Sequence, residues 1–197
     1  MLNTKIVYKY IESPLGKLII GATSKGCCVL AFQDKYDIEK LKSQFKKNYR
    51  LSMVEGTNSI LDQLEMELAE YFKGELQNFT VTLDLKGTSF EKMVWKELLR
   101  IPYGETKSYG EIAKLINNTL AVRAVGRANG KNPVAIIVPC HRVISSDGKL
   151  HGYGGGLWRK KELLILENQH KSGIKKKIFG NRVVSLETRP LENWFDR

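Results

Sequence analysis

A cysteine, a histidine and an arginine follow one another at positions 140–142, directly after an apolar run and a proline. The apolar run at 136–138 is of the kind that crosses a core as a strand, and proline has no N–H to continue a strand's hydrogen bonds. We therefore expect Cys140 to lie where a strand or buried segment gives way to an irregular turn. A thiol beside His141 and Arg142 is in a field that favours the nucleophilic thiolate. The alternative is a buried structural cysteine, since free cysteine is among the most buried residue types.

Charge is unevenly divided along the 197-residue chain, whose net charge is +11. Residues 1–87 hold 12 Lys and Arg against 11 Asp and Glu, whereas residues 88–197 hold 20 against 10. The chain is long enough for one large or two small domains with a real core. A basic half joined to a neutral half indicates a polyanionic partner that meets one domain only.

Cysteine usage and hydropathy indicate the compartment. Three cysteines, of which Cys27 and Cys28 are adjacent, do not make a disulfide framework, which favours a reducing environment. No apolar stretch approaches the length of a bilayer span, and the N-terminus does not resemble a secretory signal. We expect a cytoplasmic protein, or a nuclear one in a eukaryote, without membrane attachment. Cys27 and Cys28 are predicted to be structural, because adjacent cysteines without a nearby histidine are poor metal ligands.

Hydrophobic patterning predicts an α/β (α+β) fold that begins with an antiparallel β-meander. Strands are expected at 5–11, 18–23 and 27–32, separated by turn residues, and alternation recurs at 79–85. Helices are expected from Asp37 to about 47 and from Asn58 to about 73. We assign residues 1–87 to an N-terminal α/β domain. No histidine precedes position 141, so the chemistry is assigned to the second half.

The second half, residues 88–170, is predicted to be helical. Ser89 caps a first helix, and Ser108 with Glu111 forms a capping box that opens a second one. A third short helix at 120–129 completes a helix-turn-helix pattern, and a last helix covers 160–167. Residues 171–197 form a basic C-terminal tail.

The helix at 120–129 interleaves small residues with Arg123 and Arg127. Small side chains let a backbone approach a groove closely, and arginines neutralise phosphates. The alternative is a helical hairpin packed through its alanines. The turn after this helix leads directly into the Cys140 segment, an adjacency for which a repressor has no use.

A glycine-rich loop at 151–156 follows the cysteine motif. Its glycine spacing matches neither a Rossmann fingerprint nor a P-loop, so we do not predict a nucleotide phosphate site.

Together these motifs resemble the O6-alkylguanine-DNA alkyltransferases, also called methylated-DNA–protein-cysteine methyltransferases. The motifs are Pro-Cys-His-Arg-Val at 139–143, Arg-Ala-Val-Gly at 123–126 with Asn-Pro at 132–133, and Gly-Tyr-Gly-Gly-Gly-Leu at 152–157. The detailed resemblance covers about residues 88–168, and the N-terminal meander is similar to the family's variable first domain. It implies repair of double-stranded DNA containing O6-alkylguanine, and also O4-alkylthymine, by a monomer without a cofactor.

The resemblance implies one irreversible turnover, in which the damaged base is flipped out and its alkyl group passes to Cys140. His141 would activate the thiol through a bridging water, and Glu167 would polarise the imidazole. Asn132 would hold the active-site turn, and Tyr109 would donate to the guanine ring. Glu167 as an exposed helix residue and Tyr109 as a core tyrosine are the open alternatives.

The resemblance also implies residues that bind the flipped base and the duplex. The Gly154 N–H would face O6, the carbonyls of Cys140 and Val143 would accept from the exocyclic amine, and Tyr153 would belong to the same pocket. Arg123 would enter the base stack as a finger, with the helix-turn-helix in the minor groove. The other predicted DNA contacts are Ala121, Ala124, Gly126, Arg127, Ala128 and Asn129.

Some members of the family carry zinc in the first domain. The cysteine–histidine set for that is missing here, since the histidines lie at 141, 151 and 170, so we expect no metal.

Two other classes of protein compete with a repair enzyme. A non-catalytic relative that binds alkylated DNA typically has tryptophan in place of the cysteine, and Cys140 argues against it. A helix-turn-helix transcription factor would have a structural cysteine and a strong sequence preference.

Overall fold

The computed structural model describes residues 5–35 and 37–171, together with the backbone of 178–179 and 182–183. Most of the predicted basic tail at 171–197 lies outside the described residues. Two short antiparallel strands, Ile178–Phe179 and Arg182–Val183, pair with each other within it. No helix in the described ranges has the length and apolar content needed to cross a membrane.

A four-stranded mixed sheet forms the N-terminal part of the fold. It consists of β1 (Lys5–Ile11), β2 (Leu18–Thr23), β3 (Gly26–Phe32) and β4 (Ser52–Glu55), in the order β3-β2-β1-β4. The predicted meander is confirmed, because β1–β2 and β2–β3 pair antiparallel. The strand β4, which pairs parallel to β1, was not predicted. Met53 is its one buried residue, so no alternation marked it.

Two helices flank this sheet, as predicted. They are α1 (Ile38–Tyr49) and α2 (Ser59–Lys73). The Asp37 carboxylate accepts from two backbone N–H groups at the start of α1, and the Asn58 side chain accepts from one at the start of α2. Gly74 ends α2 with φ of 78°, a left-handed conformation that glycine adopts at low cost.

The alternation at 79–85 does not correspond to a strand, because the segment makes only an isolated bridge, to Cys27. The Glu67 carboxylate accepts from the backbone N–H groups of Thr80 and Val81 at 3.0 and 3.2 Å. A side chain thus takes the donors that a longer ladder would need.

Four helices dominate the second half. They are α3 (Ser89–Leu98), α4 (Tyr109–Leu115), α5 (Val122–Gly130) and α6 (Leu157–Gln169). The capping box at Ser108 is confirmed, whereas the cap of α3 is Thr88 rather than Ser89. α4 and α5 form the predicted helix-turn-helix, with a 3-10 turn at Thr119–Ala121 before α5. A parallel pair of two-residue strands, β5 (Lys107–Ser108) and β6 (Val143–Ile144), fastens the start of α4 to the cysteine motif.

The main hydrophobic core draws side chains from both halves of the chain. Leu30, Leu64, Trp95, Val138 and Leu163 are all buried in it. A smaller cluster packs α1 against the opposite face of the sheet. The segment that precedes Cys140 is therefore enclosed by the sheet and by the C-terminal helices.

Candidate active site

The apolar run at 136–138 forms a buried series of turns and not a strand. Of the two expectations for it, the strand is wrong and the buried segment is what the structure shows. Ile136 has φ of 70°, outside the strand region, and its side chain is 1% exposed. The backbone bonds are local, from Ile137 N to Ala135 O and from Val138 N to Val134 O. The side-chain oxygen of Asn132 accepts from Val134 N, and Val134 makes only an isolated bridge, to Leu30.

Cys140 lies in a 3-10 turn that ends at Arg142, and it is 5% exposed. Asn132 Nδ2 donates to the carbonyl of Val138 at 2.7 Å and to Cys140 Sγ at 3.1 Å. The predicted position of Asn132 against the active-site turn is what the structure shows. A donor aimed at the sulfur favours the thiolate over the thiol.

Burial raises the pKa of the Cys140 thiol, and the Asn132 donor and the Lys160 ammonium oppose that rise. The expectation that Arg142 supplies the field for the thiolate is wrong. Arg142 instead donates to the Glu167 carboxylate at 2.8 and 2.9 Å and to the Ile101 carbonyl. Adjacency in sequence did not determine where the guanidinium points.

Glu167 is fully buried in a network of donors, so the alternative of an exposed helix residue is excluded. Its Oε1 accepts from the Tyr71 hydroxyl at 2.8 Å, and its Oε2 accepts from the Gly104 N–H at 3.0 Å. His141 Nε2 lies 2.8 Å from Oε1. Burial alone disfavours the carboxylate, but His141 and Arg142 hold the pKa of Glu167 well below its usual value.

His141 is also fully buried, and burial lowers its pKa despite the attraction of Glu167. The imidazole is therefore neutral at pH 7. With its proton on Nε2, facing the carboxylate, its Nδ1 carries a lone pair. Within residues 5–35 and 37–171, Nδ1 has no hydrogen-bond partner. It is thus the nitrogen that can accept a proton.

A buried lysine that interacts electrostatically with Cys140 was not predicted. Lys160 is 0% exposed, and its Nζ donates to the carbonyls of Val143 at 2.6 Å and His151 at 2.8 Å. Burial lowers its pKa to about 8, and Cys140 works in the opposite direction. Helical spacing was the available signal, because positions 160, 163, 164 and 167 share one face of α6.

The predicted pocket residues surround the glycine loop. Tyr109 is half-buried and its hydroxyl donates to the carbonyl of His151 at 3.3 Å. Burial raises the pKa of Tyr109, and the thiol of Cys140 adds to that rise. Tyr153 is half-buried and Gly154 is exposed. The Val143 carbonyl already accepts from Lys160, so its second lone pair is the one available to a base.

The predicted DNA-contacting residues divide by position on α5. Arg123 and Arg127 are exposed, and Ala121, Ala124 and Gly126 are partly exposed. Ala128 and Asn129 are buried, which corrects the prediction that they contact DNA. The Ala128 carbonyl accepts from the Trp95 indole at 2.8 Å, and Asn129 Nδ2 donates to the Cys140 carbonyl at 3.3 Å. With Val125 these two residues form the inward face of the helix.

The site combines a buried thiol that has a donor on its sulfur with a neutral histidine held by a carboxylate, and it lies beside a helix-turn-helix. These features define the class of DNA-binding proteins with an activated cysteine nucleophile.

Comparisons with known proteins identify the family within that class. Residues 6–85 match the model of the "6-O-methylguanine DNA methyltransferase, ribonuclease-like domain", and residues 89–169 match that of its "DNA binding domain". The methylated-DNA–protein-cysteine methyltransferase of Mycolicibacterium paratuberculosis is 46% identical over 165 residues, which span 84% of this chain and 94% of that protein. The chain belongs to the methylated-DNA–protein-cysteine methyltransferase family.

Solved structures agree with this membership. The Mycobacterium tuberculosis O6-methylguanine methyltransferase is 44% identical, with a TM-score of 0.73 over 86% of this chain and 96% of that one. The same organism's protein in complex with DNA is 45% identical, with a TM-score of 0.72 over 83% of this chain and 94% of that one.

Proposed function

We propose that this protein repairs O6-alkylguanine in duplex DNA by transferring the alkyl group to Cys140 Sγ, once per molecule. The observation that carries the proposal is the contact of 3.1 Å between Asn132 Nδ2 and Cys140 Sγ, in a turn that also holds the buried His141–Glu167 pair. Family membership supports the same reaction, because the relatives named above are methyltransferases of protein cysteine.

The proposed step is a displacement at the alkyl carbon. The thiol proton passes through a water to His141 Nδ1, the sulfur bonds to the carbon, and the carbon–O6 bond breaks. The electron pair of that bond stays on guanine, and the Tyr109 hydroxyl offsets the developing charge by donating to the ring. The product is a thioether at Cys140. A thioether is stable to hydrolysis, so the free thiol is not regenerated and each molecule reacts once. O4-alkylthymine presents the same kind of alkyl–oxygen bond and is proposed as a second substrate.

Substrate binding is assigned to the loop and carbonyls around the cysteine. The Gly154 N–H faces O6, Tyr153 packs beside the base, and the carbonyls of Cys140 and Val143 accept from the exocyclic amine. The exposed position of Gly154 is consistent with this role.

DNA binding is assigned to the helix-turn-helix in the minor groove, with Arg123 occupying the space that the flipped base leaves. The basic charge of residues 88–197 and the DNA complex of the Mycobacterium tuberculosis protein support this assignment. We propose that a monomer of this chain acts alone, that residues 88–170 carry the reaction and that residues 1–87 support it. The protein acts in the compartment that holds the genome.

Mass spectrometry tests the proposal. We expect the protein to gain one methyl group when mixed with a duplex containing O6-methylguanine, on the peptide that holds Cys140. The peptide with Cys27 and Cys28 is the internal control, because both thiols are 0% exposed. Cys140→Ala should gain no mass and should bind the duplex as the wild type does. Binding without mass gain in the wild type would indicate a damage sensor or a transcription factor instead.

A further inference from the structure

One buried guanidinium joins the glycine loop to the N-terminal half of the chain. Arg159, near the start of α6, is 4% exposed. Its Nη1 donates to the Gly155 carbonyl at 2.8 Å, and its Nε donates to the Leu15 carbonyl at 2.7 Å. The same Nη1 lies 2.9 Å from the Asp34 carboxylate. The planar fork of arginine suits such a junction, since its donors point in fixed directions.

The ring of Phe32 lies under this junction. The Arg159 guanidinium stacks over Phe32 with 4.2 Å to the ring centroid. A Cβ on Gly155 would lie 2.6 Å from that ring and 2.7 Å from the ring of Tyr153. The loop therefore touches the end of β3 so closely that only glycine fits.

Asp34 supplies the charge that keeps the guanidinium in place. It lies in a short 3-10 helix directly after β3, and its side chain is 52% exposed. Removal of this carboxylate leaves the buried guanidinium without an anion, which costs free energy and loosens its position. The carboxylate, the guanidinium and the Gly155 carbonyl thus form one chain of contacts from the first half to the loop.

We propose that Arg159, held by Asp34, is a positioning residue for alkyl transfer, which fixes the glycine loop at 152–156 against Cys140. The inference rests on the proposed function, in which Gly154 and Tyr153 of this loop meet the base. The N-terminal half then contributes to the rate without touching substrate. A displacement of about 1 Å at a reacting centre can cost about 100-fold in rate, so a tether at Gly155, next to Gly154, affects the rate.

Three variants test the proposal, with Glu39→Gln as the matched control. Asp34→Asn removes one charge from a half-exposed side chain, Arg159→Lys keeps the charge without the fork, and Arg159→Met removes both. Glu39 is an acid of the same half whose ion pair, with Lys42, does not reach the loop. Thermal melting identifies any variant that fails to fold.

Three measurements are made on each variant. Amide hydrogen exchange of the peptide covering 150–157 reports on the loop directly. Single-turnover transfer from an O6-methylguanine duplex gives the limiting rate and the protein concentration for half that rate. Reaction of Cys140 with iodoacetamide reports on the thiol alone.

For Asp34→Asn and Arg159→Lys we expect faster exchange at 150–157 and a limiting rate lowered about tenfold. Arg159→Met should lower it by up to about 100-fold. The half-saturating concentration and the iodoacetamide rate should stay within a factor of two, and Glu39→Gln should match the wild type. Asp34→Asn combined with Arg159→Met should be no slower than Arg159→Met alone, because both act through one contact chain.

Unchanged exchange in Arg159→Met would overturn the tether. Faster exchange with an unchanged limiting rate would overturn the role of Arg159 in transfer. An iodoacetamide rate that falls as much as the transfer rate would also overturn it, because the defect would then lie at the Cys140 thiol itself. A wild-type protein that transfers nothing would refute the proposed function instead, while the exchange measurement would still decide whether Arg159 holds the loop.

Discussion

At the scale of single residues, the reactive cysteine is prepared by contacts rather than by its neighbours in sequence. Asn132 aims a donor at the sulfur, and Lys160 places a buried ammonium nearby. Arg142, which follows His141 in the sequence, donates to the Glu167 carboxylate instead. In the proposed reaction the proton goes to His141 Nδ1, which is available because Glu167 holds the opposite nitrogen.

Glu167→Gln should destabilise the protein by about 3 kcal/mol or more at pH 7, because it leaves the buried Arg142 guanidinium without its anion. The folded-state pKa of Glu167 lies below its ordinary value of 4.5. The carboxylate therefore stabilises the fold above about pH 4.5, and that contribution is lost as the pH falls further.

Urea denaturation from pH 7 to pH 3 measures this effect. The difference between Glu167→Gln and the wild type should shrink below about pH 4.5. Glu162→Gln is the control, since Glu162 is an exposed residue of the same helix. A difference that does not change with pH would show that Glu167 is not ionised in the folded state.

Lys160→Gln should raise the pKa of Cys140, because it removes the ammonium that opposes the effect of burial on the thiol. The midpoint of the pH dependence of Cys140 alkylation by iodoacetamide is expected to move to higher pH. The other titratable groups around the thiol are unchanged in this variant, namely the Glu167–Arg142 pair, His141 and the neutral hydroxyl of Tyr109. Lys161→Gln is the control, and an equal shift in both variants would refute a specific role for Lys160.

Residues that act through local sequence motifs were predictable, and residues that act through packing were not. Cys140, His141 and Asn132 belong to short motifs whose types suggest their chemistry. Lys160 donates to the carbonyl of Val143, 17 residues away, and Arg159 donates to that of Leu15, 144 residues away. Side-chain identity carries no record of such partners.

At the scale of elements, helix starts were predictable because capping is local. Asp37 and Ser108 each accept from N–H groups two or three residues away. Strands were less predictable, because alternation of apolar residues records burial and not backbone pairing. At 79–85 and before Cys140, the side chains of Glu67 and Asn132 take N–H groups that a ladder would have used.

Arg123→Ala should lower transfer from duplex DNA by about tenfold or more, while transfer from free O6-benzylguanine should be unchanged. Arg123 is exposed on α5, and in the proposed function it offsets part of the cost of unstacking, which is a few kcal/mol. Single-turnover rates on the two substrates make the comparison.

Arg127→Ala is the control on the same helix, one turn later. We expect it to weaken binding uniformly and to reduce the salt slope by about one, as the loss of one phosphate contact would. Equal losses on duplex and free base in Arg123→Ala would remove the finger role.

At the scale of the whole molecule, the site lies inside a core shared by both halves. Cys140 is 5% exposed, its carbonyl accepts from Asn129 of α5, and its sulfur accepts from Asn132. A product that adds atoms to the sulfur must therefore fit into an interior that is already packed.

Methylation of Cys140 should lower the stability of the fold. Overpacking a tight site costs about 1–3 kcal/mol, which corresponds to roughly 2–4 °C in Tm per kcal/mol for a chain of this size. Calorimetry before and after reaction with the O6-methylguanine duplex measures the shift. Cys140→Ala treated in the same way controls for DNA carried over, and an unchanged Tm of fully methylated wild type would contradict the expectation.

The hydrogen bond between Arg159 and Leu15 has a consequence for the synthesis of the protein on the ribosome. The two residues are 144 positions apart, so the loop can be tethered only after nearly all of the described chain has been synthesised. Contacts of such long separation form late, because the entropy of closing the intervening chain is lost before the contact stabilises anything. Cys140 leaves the ribosome well before Arg159 can hold the loop over it. If Arg159 positions the loop as proposed, we expect a nascent chain to transfer an alkyl group slowly until Arg159 has reached Leu15.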